Sequence, residues 1–318
     1  MKFSEDQLKE FAKPLSQTEE NQCKNAIGMV ADALKDIGLR EEETIHKSFS
    51  DTPSYQLRMS GNYGYEVKIF LQGSYANNTN VRRNSDVDIA VVQEDRFRTK
   101  YREGINDSYY GFTKATPRER SFKDEVEIAL RKKFGSDVIR KNKSIRINGN
   151  SYRNDADSVP ALRYRDYTND YRYDSNNFIG GIVIKPDKGS EIINYPEEHI
   201  KNGIEKNKRT NYYFKKMVRI AKEMRYKMIE SNYSSAQEIS SFLVECLIWN
   251  APDEYFTKYI NFRFIFDEIL SFLYSNLNDM ISFKEVNNIK YIWRDDPDRL
   301  KYCENFIKDL YRFYEYEI

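Results

Sequence analysis

Two aspartates stand in a stretch whose pattern otherwise predicts a buried strand. In "SDVDIAVV" the alternation of a strand places Asp86 and Asp88 on one face and Val87, Ile89 and Val91 on the other. Carboxylates held on neighbouring same-face positions repel each other by on the order of a few kcal/mol at a protein surface. A divalent cation removes this penalty, and magnesium prefers one or two carboxylates together with substrate phosphates. The pair is therefore a candidate magnesium site for phosphate chemistry.

A glycine–serine turn before the aspartates makes this pattern more specific. A bare Asp-x-Asp is most often a pair of solvated side chains at the end of a strand. Here residues 67–71 alternate as a strand does, and Gly73 and Ser74 end that strand. Backbone N–H groups and one hydroxyl at such a turn can approach a phosphate closely, so Gly73 and Ser74 are candidate phosphate-binding residues.

The composition is that of an ordinary globular chain without a global electrostatic field. The chain has 318 residues, 40% of them hydrophobic, and its 51 Lys and Arg nearly balance its 50 Asp and Glu. The formal net charge of +1 does not attract a long polyanion, so any phosphate binding must be local. The charged N-terminus and the lack of a long apolar run predict a cytoplasmic protein without a membrane segment.

The cysteines and histidines disfavour several other chemistries. Cys23, Cys246 and Cys303 lie far apart without a CxxC pairing, which argues against a disulfide framework or a zinc site. We expect them to be buried thiols. With only His46 and His199 in the chain, a histidine metal cluster or a Ser-His-Asp hydrolase is disfavoured.

The elements that must position the candidate site fall into two regions. Helical spacing predicts helices over residues 18–37 and 121–134, each ended by a glycine. Alternation predicts strands at 67–71, 86–92, 145–147, 152–162 and 179–184, with a polar loop or hairpin between the last two. From about residue 207 onward the pattern is helical throughout.

The stretch "GSYANNTNVRRNSDVDIAVV" resembles the Gly-Ser and Asp-x-Asp signature of the polymerase-β-like nucleotidyltransferase superfamily. It is particularly similar to the cGAS/DncV-like branch, the bacterial CD-NTases of antiphage defence. The resemblance covers roughly residues 11–256 and implies an α+β fold with two lobes and a central nucleotide cleft. Residues 1–206 would form a catalytic palm with a mixed sheet and an N-terminal helix, and residues 207–318 a helical lobe.

The resemblance also requires a third carboxylate on a later strand. The stretch from Asp157 to Ala161 in "NDADSVPALR" is similar to the Asp-Val-Val-Pro-Ala run of that branch, with Ser158 as a departure from it. Asp155 has the same strand parity and is the rival candidate. By resemblance, Asp157 would join the aspartate pair in binding two magnesium ions, which manganese can replace.

The helical third carries candidates for nucleotide binding. In "FKKMVRIAKEMR" one stripe is apolar, and Lys215, Arg219 and Lys222 lie on another. For Lys215 and Arg219, a solvated face opposite the core and a functional role are both open alternatives. The resemblance implies that Lys222, together with Ser241 at the start of the next helix, holds the donor triphosphate. It also implies that Phe242 stacks on a nucleobase; packing in the core is the alternative for this residue.

The resemblance implies the joining of NTPs, among them ATP and GTP, into a cyclic dinucleotide or short cyclic oligonucleotide with release of pyrophosphate. The product would act as a second messenger on an effector protein in antiphage signalling. Three alternatives stay open: modification of a protein or tRNA acceptor, a catalytically dead nucleotide-binding module, and a sensor activated by nucleic acid. No basic tract interleaved with aromatics points to a long nucleic acid as partner.

Overall fold

The computed structural model describes residues 3–81, 86–149 and 155–315. Within these ranges the strands are β1 (Arg40–Glu41), β2 (His46–Lys47), β3 (Tyr55–Gly61), β4 (Tyr65–Leu71), β5 (Val87–Lys100), β6 (Val138–Arg140), β7 (Ile145–Ile147), β8 (Ala156–Asp166), β9 (Ile179–Ile184) and β10 (Ile192–Asn194). The helices are α1 (Glu5–Phe11), α2 (Gln17–Leu34), α3 (Gly73–Asn77), α4 (Phe122–Phe134), α5 (Pro196–Arg209), α6 (Phe214–Glu230), α7 (Ser234–Glu238), α8 (Ser241–Asn250), α9 (Asp253–Thr257), α10 (Phe262–Ser275) and α11 (Asp298–Glu315).

All of these strands belong to one mixed sheet. Its central path runs β1-β3-β4-β5-β8-β7-β6, and β2, β9 and β10 extend it from β3 and β8. Strands β5 and β8 are parallel, while β4 pairs with β5 and β7 pairs with β8 in the antiparallel sense. The mixed sheet and the helical C-terminal region confirm the predicted α+β fold class.

The contacts divide the described residues into two compact units. The sheet unit comprises the described residues of 16–76 and 84–197, and the helical unit comprises those of 1–15, 77–83 and 198–318. The short described segment 77–81, which follows the Gly-Ser turn, thus belongs to the helical unit. The boundary between residues 1–206 and 207–318 stays a prediction.

Both predicted helices of the sheet unit are confirmed, and their ends have clear local causes. Ser16 is the N-cap of α2 and Ser121 is the N-cap of α4, each in a capping box in which the serine and the residue three positions later satisfy free N–H groups reciprocally. After α2 a single tight turn leads to Gly38, whose φ of 89° ends the helical course. Gly135 closes α4.

The strand β5 has two apolar faces for most of its buried length. Val87, Ile89 and Val91 are fully buried on one face, as the alternation predicts. On the other face Ala90 and Val92 form a second buried cluster with residues of β4, β8 and β9. The aspartates therefore stand at the end of an otherwise apolar row rather than on a solvated face. Residues 152–154 of the predicted strand 152–162 lie outside the described residues.

The helical unit has its own core. Apolar side chains of α1, α6, α8, α9, α10 and α11 form one continuous cluster, with Phe214, Phe256 and Phe266 among its fully buried members. The cysteines Cys23, Cys246 and Cys303 are buried free thiols, as predicted. Among the residues that the structure describes, none of the helices combines the length and the apolar character needed to cross a bilayer.

Candidate active site

The parallel pairing of β5 with β8 brings two of the candidate carboxylates side by side. Asp88 and Asp157 are direct partners in the register of these strands, so their side chains leave the same face of the sheet. Asp86 lies two residues before Asp88, next to the start of β5. The structure thus brings Asp86, Asp88 and Asp157 to one end of two adjacent strands.

Burial and mutual repulsion mark this group of carboxylates. The pKa of Asp88 is raised to about 7 by burial and by the charges of Asp157 and Asp86. The pKa of Asp157 is also raised, chiefly by burial and then by Asp86, while Arg146 and Lys141 oppose the shift. One oxygen of Asp157, Oδ1, is buried without a hydrogen-bond partner. Burial and mutual repulsion thus outweigh the neighbouring positive charges at Asp157, and one of its buried oxygens has no hydrogen-bond partner.

Gly73 lies against the Asp88 carboxylate. Its φ of +68° is in the left-handed region, and a β-carbon placed on it would stand 2.6 Å from Asp88 Oδ2. The backbone N–H of Gln72, just before it, donates to the Asp88 carbonyl oxygen at 3.0 Å. The glycine of the Gly-Ser turn is required here by both conformation and space, whereas Ser74 is half-buried at the second position of α3.

An arginine that the sequence analysis did not identify lies within this group. Arg146 donates from Nη1 to Asp86 Oδ2 at 3.0 Å and from Nη2 to Asp86 Oδ1 at 3.4 Å, and it also pairs with Asp155. The second oxygen of Asp155 accepts from the backbone N–H of Gly149, and these bonds lower the pKa of Asp155. The rival third carboxylate is therefore engaged by the protein itself.

The donor set fits a hard divalent cation. In the described ranges, the side chains as they stand form no group of three or more His, Cys, Asp or Glu that encloses a metal ion. However, three carboxylates converge here, one oxygen of Asp157 is buried without a partner, and Gly73 lets the backbone of the Gly-Ser turn approach the Asp88 carboxylate closely. Oxygen donors of this kind suit magnesium or manganese.

In the helical unit, Lys222 is the centre of a buried polar network. Its Nζ lies 2.6 Å from Glu245 Oε2 and 3.2 Å from the Thr79 hydroxyl, which in turn donates to Glu245 at 2.8 Å. His199 contacts the other Glu245 oxygen at 2.9 Å. The charge of Lys222 holds the pKa of Glu245 well below its usual range despite complete burial. The network ties the segment 77–81, through Thr79, to α5, α6 and α8.

A solvated face, one of the two alternatives for Lys215 and Arg219 on α6, is wrong. Lys215, Arg219 and Lys222 are all at most 5% exposed. Arg219 donates to the backbone carbonyls of Ala12 and Asn78, and burial lowers its pKa to about 10. The charged stripe is buried because the N-terminal segment and residues 78–79 contact it, which spacing within α6 alone does not reveal.

Helix α8 begins at Ser241, as predicted. The residue before it, Ser240, is the N-cap, and its hydroxyl accepts from the Leu243 N–H at 3.2 Å. Phe242 is half-buried, packs against the helical core, and its ring centroid lies 5.9 Å from that of His199. The roles of Ser241 in phosphate binding and of Phe242 in base stacking stay predictions.

Family models match both regions of the chain. Residues 57–147 match a nucleotidyltransferase domain, and residues 201–315 match the C-terminal helical domain of cGAS/DncV-like nucleotidyltransferases. The chain is 49% identical to cyclic GMP-AMP synthase CdnE03 of Staphylococcus schleiferi, with 99% of this chain and 98% of that protein covered. It therefore belongs to the cGAS/DncV-like nucleotidyltransferase family, and the predicted family is confirmed.

Two further relatives support this membership. Cyclic dipyrimidine nucleotide synthase CdnE of Cecembia lonarensis is 36% identical, with 92% of this chain and 91% of that protein covered. Among solved structures, the CdnE cyclic dinucleotide synthase of Elizabethkingia meningoseptica with GTP and Apcpp superposes with a TM-score of 0.73. That structure is 31% identical and covers 99% of this chain and 100% of its own.

Proposed function

We propose that the chain joins two nucleoside triphosphates into a cyclic dinucleotide and releases pyrophosphate, with Asp86, Asp88 and Asp157 as ligands of magnesium. One observation carries the proposal. The register of β5 and β8 places Asp88, which lies two residues after Asp86, directly beside Asp157. Carboxylates so placed raise one another's pKa and gain most from a divalent cation. When bound, magnesium lowers the pKa of the acceptor hydroxyl and neutralises charge on the triphosphate and the leaving pyrophosphate.

The residues of the chain contribute position and charge. Asp86 and Asp88 would hold the cation of the donor triphosphate, and Asp157 would help to hold a second ion on the acceptor side. The backbone at Gly73, with the hydroxyls of Ser74 and Ser241, orients the phosphates; Lys222 and Phe242 complete the binding of triphosphate and base. A ribose hydroxyl then forms a bond to the α-phosphorus as the bond to pyrophosphate breaks, twice per cyclic product.

The relatives narrow the choice of substrate. The 49% identical relative is a cyclic GMP-AMP synthase, whereas a 36% identical one is a cyclic dipyrimidine synthase. Base choice thus varies within the family, and the higher identity favours ATP and GTP as substrates. We further propose that the product is a second messenger for an effector protein in antiphage signalling.

Product analysis tests this proposal. The purified chain is incubated with each labelled NTP and the other three unlabelled in Mg²⁺ or Mn²⁺, treated with phosphatase, and analysed by chromatography and mass spectrometry. We expect a phosphatase-resistant cyclic GMP-AMP product, and we expect this product to be absent when Asp88→Asn replaces the unmodified chain. A labelled protein or tRNA instead would favour a different acceptor, and the absence of pyrophosphate release would indicate a nucleotide-binding module. Parallel reactions with added RNA or DNA show whether a nucleic acid is needed for activity.

A further inference from the structure

Arg146 lies in the same row of the sheet as two of the proposed metal ligands. It is the direct register partner of Asp157 on β8, which is in turn the partner of Asp88 on β5. From this position its guanidinium reaches sideways to Asp86, with one nitrogen for each carboxylate oxygen, at 3.0 and 3.4 Å. Such forked pairing is the most favourable geometry between an arginine and a carboxylate.

The guanidinium has a second acidic partner outside the proposed metal site. Arg146 Nη2 also donates to Asp155, whose other oxygen accepts from the backbone N–H of Gly149. The position of Asp155 is thus partly fixed by the backbone, independently of Arg146. An arginine that moved away from Asp86 would keep Asp155 as a partner and remain beside the carboxylates.

We propose that Arg146 is a positioning residue that competes with the divalent cation for Asp86, an inference that rests on the proposed function. The same oxygens of Asp86 would serve both partners, and two positive groups at that spacing repel each other. The chain therefore binds a free divalent ion weakly and takes it up more readily with a triphosphate, which brings ligands of its own. Asp155 retains the guanidinium when Asp86 turns to the cation.

Binding of Mn²⁺ to the full chain without nucleotide tests the competition, with the electron paramagnetic resonance signal of free Mn²⁺ as the readout. We expect Arg146→Gln to bind Mn²⁺ about tenfold more tightly than the unmodified chain, or ~1.4 kcal/mol. The matched control is Lys141→Gln. Lys141 is an exposed lysine that influences Asp157 through space and is not an ion-pair partner of Asp86 in the described structure. Its loss should change the affinity by less than about twofold, because solvent screens it.

Arg146→Lys keeps the charge but cannot form the forked pair, so its affinity for Mn²⁺ should lie between those of the unmodified chain and Arg146→Gln. This variant also provides the test if Arg146→Gln does not fold. Thermal melting and circular dichroism establish folding for each variant. Affinity for Mn²⁺ that is unchanged or weaker in both Arg146 variants would overturn the competition. Asp86→Asn distinguishes a failure of the proposed metal site from a failure of the proposed competition. If this variant binds Mn²⁺ as well as the unmodified chain does, the proposed metal site itself is wrong. If it loses binding while the Arg146 variants behave like the unmodified chain, only the competition is wrong.

Discussion

Gly73 and Asp88 approach each other so closely that a single added carbon would fall within 2.6 Å of the Asp88 carboxylate. We therefore expect Gly73→Ala to displace this carboxylate and to lower synthesis by at least about 100-fold, the scale of a misplaced catalytic group. Its positive φ adds a stability cost of about 1 kcal/mol. Steady-state kinetics and thermal melting measure the two effects separately.

Gly64→Ala is the matched control for this prediction. Gly64 has a φ of +72°, close to that of Gly73, but a β-carbon there meets nothing within 4 Å. It should therefore show the same loss of stability with normal synthesis. Normal activity of folded Gly73→Ala, or equal loss of activity in both variants, would contradict the role assigned to the contact.

The two candidate third carboxylates should behave differently. We expect Asp157→Asn to abolish synthesis, since Asp157 is the register partner of Asp88 and has a buried oxygen without a hydrogen-bond partner. Asp155→Asn should keep most of the activity, because Asp155 is bound by Arg146 and the Gly149 N–H. Both rates are measured with saturating ATP, GTP and Mg²⁺. An equal loss of synthesis in both variants would contradict the assignment of Asp157 as the third ligand.

The buried pair of Lys222 and Glu245 predicts a large effect on stability. Glu245→Gln leaves the Lys222 charge buried without its carboxylate, and we expect this to lower the free energy of unfolding by about 3 kcal/mol. The double variant Lys222→Met/Glu245→Gln should regain most of that loss, because it no longer buries a charge. Denaturant unfolding gives both values, and a double variant less stable than Glu245→Gln would contradict the account.

The same double variant tests the proposed contact of Lys222 with the triphosphate. Loss of one phosphate contact should raise the KM for NTP about tenfold, or ~1.4 kcal/mol. An unchanged KM in the folded double variant would restrict Lys222 to holding Thr79 and the segment 77–81. The two outcomes separate a binding role from a structural one.

Asp187 predicts how the stability of the sheet unit depends on pH. Hydrogen bonds from Arg140 at 2.7 and 2.9 Å, and Lys123 at 3.1 Å, lower the pKa of Asp187 to about 2. A depressed folded-state pKa contributes stability above the ordinary value of 3.8, and this contribution is lost as pH falls through about 2. Asp187→Asn should thus melt below the unmodified chain at pH 6, with a gap that closes towards pH 2.

The control for this pH dependence is Asp6→Asn. Asp6 is an exposed residue whose partner is Lys9 at 3.3 Å, so its removal should shift the melting temperature little at any pH. A gap between Asp187→Asn and the unmodified chain that stays constant from pH 6 to pH 2 would show that Asp187 contributes through packing rather than charge.

Local patterns predicted much of the fold because they depend on neighbours in the chain. The alternation of Val87, Ile89 and Val91 and the glycines that end the two helices of the sheet unit are visible over a few residues, and each proved correct. Strand β5 nevertheless continues to Lys100, well past the predicted end at residue 92. Its charged second half forms a strand because it pairs with β8, which is a continuous strand of 11 residues.

The missed site residues depend on contacts between distant segments. Arg146 reaches Asp86 across 60 positions, and Glu245 meets Thr79 across 166. A weak signal was present for each: Arg146 is the single charge in the strand "IRI", and Glu245 is the single charge in the apolar run "FLVECLIW". A lone charge among apolar residues needs a partner when buried, but the sequence does not identify that partner.

The central claim is that Asp86, Asp88 and Asp157 together hold divalent ions. Anomalous diffraction from crystals grown with Mn²⁺ and a non-hydrolysable ATP or GTP analogue tests it most directly. We predict manganese peaks in contact with carboxylate oxygens of all three residues and with the triphosphate. Peaks elsewhere, with the three carboxylates directed to separate places, would contradict the account.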